Sequence, residues 1–169
     1  FTEPVVYLGR GAIVQADDER FDSDKGPLQF DQEGVRVAVV AGEGSHEFVM
    51  THFQNTDAVI VFSGSDLAQS LAAVSAGQAD VGLSDALETA KYSEAHTGVR
   101  DLYASSPHTL TPIAWAVRHE DDDFRVFLNT ALELLFASGR IHELAKPHNY
   151  NWTIRERTYS KLLTDGSAQ

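Results

Sequence analysis

Hydrophobic and polar positions in this chain follow two periods, and the switches between them mark out its elements. Gly11-Ala12-Ile13-Val14-Gln15-Ala16 is a short apolar run that reads as a strand. Residues 17–33 are polar, with Asp17, Asp18, Glu19, Asp22, Asp24, Gly26 and Pro27, and read as a surface loop. Val35-Arg36-Val37-Ala38-Val39-Val40 is a β-branched strand. After Ala41-Gly42-Glu43-Gly44-Ser45, the residues Phe48, Val49, His52 and Phe53 fall at helical spacing over 46–54. Ala58–Phe62 predicts a second strand. Ser65 opens a helix with Leu67, Leu71 and Val74 on one face, and Gly77 ends it. Asp80–Leu83 is a third strand and 85–93 a third helix. Strands and helices alternating at this spacing predict an α/β fold, a parallel sheet with crossover helices.

Beyond this block, Thr111–Val117 is an apolar strand candidate containing Trp115. Asp121–Ser138 is the longest helix, carrying Phe124, Phe127, Leu128, Ala131, Leu132, Leu135 and Phe136; Gly139 stops it and a short helix follows over 140–146. Residues 151–169 are polar and read as a tail. The 169 residues are 43% apolar and 22% charged, enough for a hydrophobic core. Thirteen basic against 25 acidic residues give a net charge of −12, which repels nucleic acid and anionic membranes. No apolar run reaches the roughly 18 residues of a membrane span. There is no cysteine, so disulfides and thiolate metal sites are excluded. The chain opens Phe1-Thr2-Glu3-Pro4, with neither an initiator Met nor a signal segment, and reads as a mature or truncated piece.

Two loops carry candidate chemistry. Gly42, Gly44 and Ser45, with His46 next, leave a strand and open a helix, where unpaired amides carry positive partial charge. Glycines there let an anion approach the backbone, and a serine there also suits a plain N-cap. The loop is neither a P-loop nor a dinucleotide fingerprint. Asp85 ends the third strand and could accept from a ligand ammonium; with Glu88 three residues on, it also fits a capping box. In an open parallel sheet ligands sit beyond the carboxyl ends of the strands, so both loops belong to one edge. The histidines lack metal-ligand spacing: His52 falls too late to share a zincin face with His46, and His142 and His148 straddle Pro147. No metal or cofactor is expected. There is no Gly-x-Ser-x-Gly elbow, and Asn151-Trp152-Thr153 fits a glycosylation sequon.

Together these residues resemble the family 3 extracellular solute-binding proteins, the amino-acid receptors of ABC importers. Gly34–Gly42 with Gly44-Ser45 resembles that family's strand and ligand loop, and Ala76–Asp85 its Gly-Asp-Asp signature. Pro112–Arg118 with Asn129, Leu132, Leu135, Ser138 and Gly139 resembles its return strand and C-terminal helix. Phe1-Thr2-Glu3-Pro4 resembles its hinge crossing. The resemblance covers roughly residues 1–146. It implies two α/β lobes with the ligand between them. Residues 1–108 are then the second, ligand-cleft lobe with hinge strands at both ends, 109–150 the return strand and C-terminal helices of the first lobe, and 151–169 a polar tail. The opening units of the first lobe, with the arginine that grips the ligand carboxylate, are not in this sequence. The 121–138 helix is therefore expected to expose about five large side chains, at roughly 1.5–3 kcal/mol each. A missing lobe or a second copy is expected to cover it.

The implied function is binding of a small amino-acid-like zwitterion, with Gly42, Gly44, Ser45 and His46 at its carboxylate and Asp85 at its ammonium. The implied partner is an ABC transporter permease, and the implied location periplasmic or extracellular. Within the family, Gln29-Phe30-Asp31, Glu47-Phe48-Val49 and Ser84-Asp85-Ala86-Leu87-Glu88 are similar to periplasmic cyclohexadienyl (prephenate/arogenate) dehydratases. That alternative makes Glu88 a general acid with a pKa raised by burial. Glu43 departs from the dehydratase loop, and a carboxylate there disfavours a dianionic substrate unless it points away.

Overall fold

The computed structural model describes residues 1–148 except residues 65 and 106. The sequon at 151–153, the polar tail and the expected helix start at Ser65 lie outside the described residues. The chain divides into two compact units, Gly9–Leu110 and Phe1–Leu8 with the chain from Thr111 onward.

In the larger unit, β1 (Val6–Gln15, entering from the smaller unit) precedes β2 (Arg36–Val40), α1 (Gly44–His52), β3 (Ala58–Phe62), α2 (Ala68–Ser75), β4 (Val81–Asp85), α3 (Ala86–Ala95) and β5 (Val99–Asp101). The sheet order is β3-β2-β4-β1-β5. β2 is parallel to both neighbours, with Val37 beside Val59 on one side and Val81 on the other. β1 is antiparallel to β4 and β5. The expected parallel block is therefore present, and an antiparallel strand adjoins it. Because β1 runs against β4, its early residues lie beside β4's end: Arg10 opposite Asp85 and Gly11 opposite Ser84.

Alternation along the strands assigns each face its cover. Ala12, Val14, Val37, Val39, Val81 and Leu83 share one core with Val49 of α1 and with Phe21 and Phe30. Ile13 and Ala38 share the other with Leu71 and Val74 of α2. Burial on both faces explains why β2 reads as an unbroken apolar run. The second face is flat at its centre. A Cβ on Gly11 would lie 1.9 Å from Thr89 Oγ1, and one on Gly82 2.6 Å from the Ser70 carbonyl oxygen. The missing side chains let α2 and α3 sit directly on the sheet.

Several expectations are corrected. β1 begins at Val6 rather than Gly11: Val6-Tyr7-Leu8 is apolar as well, and pairing with the strand Leu110–Ile113 and with β4 carries it through Gly9-Arg10. β5 gave no apolar signal; it adds to the free edge of β1, and Arg100 Nη2 donates to the Asp18 and Phe21 carbonyls. The polar stretch 17–33 is a loop, as its composition predicts, and specific hydrogen bonds hold it. It holds a 3₁₀ turn over Pro27–Phe30, and Gln29 Nε2 donates to the Asp22 and Lys25 carbonyls and to the Tyr103 hydroxyl. Asp31 Oδ1 accepts from the amides of Gln54, Asn55 and Thr56. The Gln29-Phe30-Asp31 run thus braces loops. Asp80 ties the β2 and β4 starts to the 17–33 stretch, accepting from Arg36 Nε at 2.9 Å and Arg20 Nη2 at 2.8 Å. Burial alone would raise its pKa, but these hydrogen bonds prevail and hold it down at about 2. Its stabilising effect is therefore present above the ordinary aspartate range and lost as pH falls toward 2.

In the smaller unit, β6 (Leu110–Ile113) is shorter than the expected 111–117 strand. Thr2 N donates to the Trp115 carbonyl and Val5 N to that of Ile113. Helix α4 (Asp122–Ala137) buries Leu132 and Phe136 against Val5, Ile141 and Ala145, the last two from α5 (Arg140–Ala145). Asn129 Oδ1 accepts from Glu3 N at 2.8 Å. The rest of the α4 apolar face, with Phe124, Phe127 and Leu134, is exposed. Among the described residues no helix is long and apolar enough to cross a membrane.

Gly82→Ala is expected to destabilise the larger unit by about 1–3 kcal/mol through overpacking against α2. Gly98→Ala, where a Cβ meets nothing within 4 Å, is the matched control and should stay within about 0.5 kcal/mol. Thermal or urea melts of the two variants read the difference.

Candidate functional site

The carboxyl ends of β2 and β4 meet at one edge, and each leads straight into a helix. Helix α1 starts at Gly44 with Glu43 at the N-cap position, and no side chain caps it. The amides of Gly44, Ser45 and His46 therefore have no intrahelical acceptor. Ser45 is one residue inside the helix and buried, so the plain serine cap does not form. Gly42 and Gly44 are exposed, and Gly42 takes a positive φ of 84°, which favours glycine. His46 folds back, its Nδ1 3.5 Å from Gly42 N.

Helix α3 begins differently. Asp85 Oδ1 accepts from Leu87 N at 2.9 Å and Glu88 N at 3.0 Å, so this N-terminus is capped. The other half of the capping box is not made: Glu88 Oε1 accepts from Lys91 Nζ at 3.0 Å, and the Glu88 side chain is 30% exposed.

Glu43 and Arg10 complete the edge. Ser84 Oγ lies 3.5 Å from Glu43 Oε1, while Glu43 Oε2 is buried without a hydrogen-bond partner. Burial, then the negative charge of Asp85, push the Glu43 carboxyl up to about 7; the Ser84 hydrogen bond pulls it down, and Glu88 adds a smaller rise. Glu43 therefore points toward the acidic edge rather than away from it. Arg10 was not visible as a site residue in the sequence. Its Nη1 donates to Thr109 Oγ1 at 3.1 Å and Nη2 to the Gly44 carbonyl at 3.3 Å. Its guanidinium carbon stands 4.1 Å from the centre of the Phe48 ring, within cation–π range. Arg10 Nε is buried and unpartnered, and burial lowers the guanidinium pKa from its ordinary value. Register was the missing signal: Arg10 reaches this edge only because β1 runs antiparallel to β4.

The structure thus brings together Gly42, Gly44, Ser45, His46, Asp85 and Glu88, and adds Glu43 and Arg10. Among the described residues no group of three or more His, Asp or Glu is placed to hold a metal ion.

No protein-family model and no curated protein matches the sequence. Solved structures do match. A protein described as the binding component of an ABC transporter from Wolinella succinogenes, complexed with lysine, superposes with a TM-score of 0.73 at 19% identity, over 95% of this chain and 65% of that one. The fold is that of the solute-binding proteins. An ancestral amino-acid-binding protein described as a precursor of cyclohexadienyl dehydratase gives 0.69 at 22% identity, over 87% of this chain and 59% of that one. An ancestral arginine-binding protein bound to glutamine gives 0.69 at 18%, over 89% and 64%. The chain therefore spans less than two thirds of the length of these solute-binding structures. In the solute-binding fold seen here, the β2–β4 edge presents one uncapped helix start beside a desolvated acid.

Glu43→Gln is expected to stabilise the ligand-free protein at pH 8 by about 1 kcal/mol, after discounting for solvent screening at this half-buried group. The sign follows from linkage. A carboxyl raised from 4.5 to about 7 on folding loses stability as pH climbs through that window. The variant's advantage should be full above pH 7 and absent below about pH 4.5, as read by melts across pH.

Proposed function

We propose that this chain is part of a solute-binding protein that takes a small amino-acid-type zwitterion at the β2–β4 edge. The observation that carries the reading is the difference between two adjacent helix starts. Helix α1 is left without a side-chain cap, while α3 is capped through one oxygen of Asp85. A guest carboxylate on the amides of Gly44, Ser45 and His46 would supply the missing cap, and the helix dipole favours it. A guest ammonium would lie on the acidic side, toward Asp85. The lysine and glutamine named for the structural neighbours are of this chemical type. By the same likeness we assign delivery to an ABC transporter permease and a periplasmic or extracellular location. Gly9–Leu110 would act as the ligand lobe and the smaller unit as part of the other. The pairing of Glu88 with Lys91 favours binding over dehydration with Glu88 as acid.

L-Lysine, L-arginine or L-glutamine should raise the melting temperature and give saturable heat in calorimetry. Asp85→Asn should weaken that binding by about tenfold or more while keeping the helix cap, because Asn caps as well as Asp. No response to any of the three, or full affinity in the variant, contradicts the reading. An aromatic product from prephenate that Glu88→Gln abolishes would favour the dehydratase instead.

The exposed apolar residues of α4 belong to the same reading. Phe124, Phe127 and Leu134 are 52%, 65% and 66% exposed, and a further lobe or a second copy covers them. Light scattering should show an assembly larger than one chain unless a further lobe is supplied; a monomer with that face bare would contradict this part.

A further inference from the structure

We propose that the open edge of β3 is a self-association surface, on which a second copy of this chain seats its own β3, antiparallel, about a two-fold axis at Ile60. It is a side of the sheet that the zwitterion reading does not use.

The sheet of the larger unit ends in two strands that present their edges differently. β5 is three residues long and carries Arg100 and Asp101, and Arg100 Nη2 ties it to the Asp18 and Phe21 carbonyls of the 17–33 loop. β3 is Ala58-Val59-Ile60-Val61-Phe62, with no charge, proline or glycine. Among the described residues its strand neighbour is β2. Shortness and charge are the usual means of keeping an edge strand from pairing with another chain; β5 has both and β3 neither. Ala41 N donates to the Phe62 carbonyl at 2.8 Å, and Ala38 lies beside Ile60. Alternate residues of a strand face a given neighbour. Ala58, Ile60 and Phe62 therefore turn N–H and C=O toward β2, while Val59 and Val61 turn theirs to the open edge. Val61, inside this apolar run, is 42% exposed.

The pattern of that edge picks a second copy as its occupant. Val59-Ile60-Val61 reads the same in both directions. An axis at Ile60 sets Val59 of each copy opposite Val61 of the other. All four residues have outward backbone groups, so the two pairs exchange four hydrogen bonds, with Ile60 facing Ile60 in the non-hydrogen-bonded position between them. The axis is perpendicular to the sheet, so each exposed Val61 gains a valine beside it on the same face. Charge agrees. At −12 two copies repel, and contact is favoured where no acid meets another. In this register Asp57 falls opposite Ser63, and its carboxylate already accepts from Gly34 N at 2.9 Å. With the β5 edge blunted, the pairing closes at two copies instead of growing. The antiparallel arrangement points the two β2–β4 edges in opposite directions and leaves both open. Five residues a side is a small contact, so the dimer is weak and forms as concentration rises.

The chain has no cysteine, so a single introduced thiol reports on the pairing. Ile60→Cys, mildly oxidised, should give a disulfide-linked dimer, because facing residues of a non-hydrogen-bonded pair lie about 4.5 Å apart at Cα, within disulfide range. Ser63→Cys, exposed just beyond the strand, is the control: its copy lies roughly 20 Å away in this register, and it should stay unlinked. Val61→Lys added to Ile60→Cys should abolish the link. In the unaltered protein, hydrogen exchange at the Val59 and Val61 amides should slow several-fold as protein concentration rises, while the Ile60 amide, turned to β2, stays unchanged. Absence of the Ile60 link, or equal linking at both cysteines, overturns the proposal. So do edge amides whose exchange ignores concentration, whether fast, as for a bare edge, or slow, as for one covered by another segment or a different partner. Each of these leaves the zwitterion reading standing, and the exchange measurement decides the matter even if a variant does not fold.

Discussion

The position of β4 between two neighbours of opposite sense is the constraint on which the larger unit depends. Its parallel pairing with β2 puts two strand ends, and the two helix starts that follow them, on one edge. Its antiparallel pairing with β1 then returns the early residues of the chain to that edge, with Arg10 level with Asp85. Neither neighbour could be reversed without losing part of the site. Asp80 anchors the start of β4 through Arg36 and Arg20, and Gly82 lets α2 press on its centre. The strand that carries Asp85 at its tip is therefore held along its whole length, which fixes that tip in space.

What this held edge supports is an unfavourable electrostatic arrangement. The α1 start lacks a side-chain cap, which typically forgoes about 1 kcal/mol. Glu43 loses hydration and sits near two other acids. Arg10 also has a buried nitrogen without a partner. Away from this edge the same fold satisfies its polar groups thoroughly: Asp31 accepts three backbone amides, and the Gln29 side chain meets Asp22, Lys25 and Tyr103. Among the described residues, the buried polar atoms without partners belong to Arg10 and Glu43, both at this edge, which is what supports proposing it as the site.

The legible and illegible parts of the sequence separate by how far each signal reaches along the chain. β2 and β3 stand out because burial on both faces, or β-branched composition, marks them within five residues. Helix α4 stands out because its apolar stripe repeats at helical spacing, although much of that stripe is exposed. The Gly42–Ser45 turn and Asp85 were readable as helix entries, and the shared edge followed from the parallel pattern. The direction of β1 was not readable, since an apolar run carries no sign. Arg10 was hidden with it, because its partners at 44, 48 and 109 are distant in sequence. Glu43 was visible as an anomaly in its loop, but only packing shows which way its carboxyl turns. The Gln29-Phe30-Asp31 run braces loops around Tyr103 and Thr56, partners too distant in sequence to be read from the run itself.

Two neighbouring helices that differ at their first residue show how the site divides its work. At α3 the acid is its own cap, with Asp85 Oδ1 accepting from the first free amides of the helix. At α1 the acid at the cap position turns toward Ser84 instead, leaving both its own carboxyl and the helix amides short of partners. On the zwitterion reading, an anion placed on those amides would supply the cap that Glu43 does not. Complementarity of this kind stabilises the occupied form relative to the empty one without new apolar contact, because the unfavourable terms already exist before the guest arrives. On the zwitterion reading the edge would discriminate by charge and its placement, with shape left to whatever closes over it.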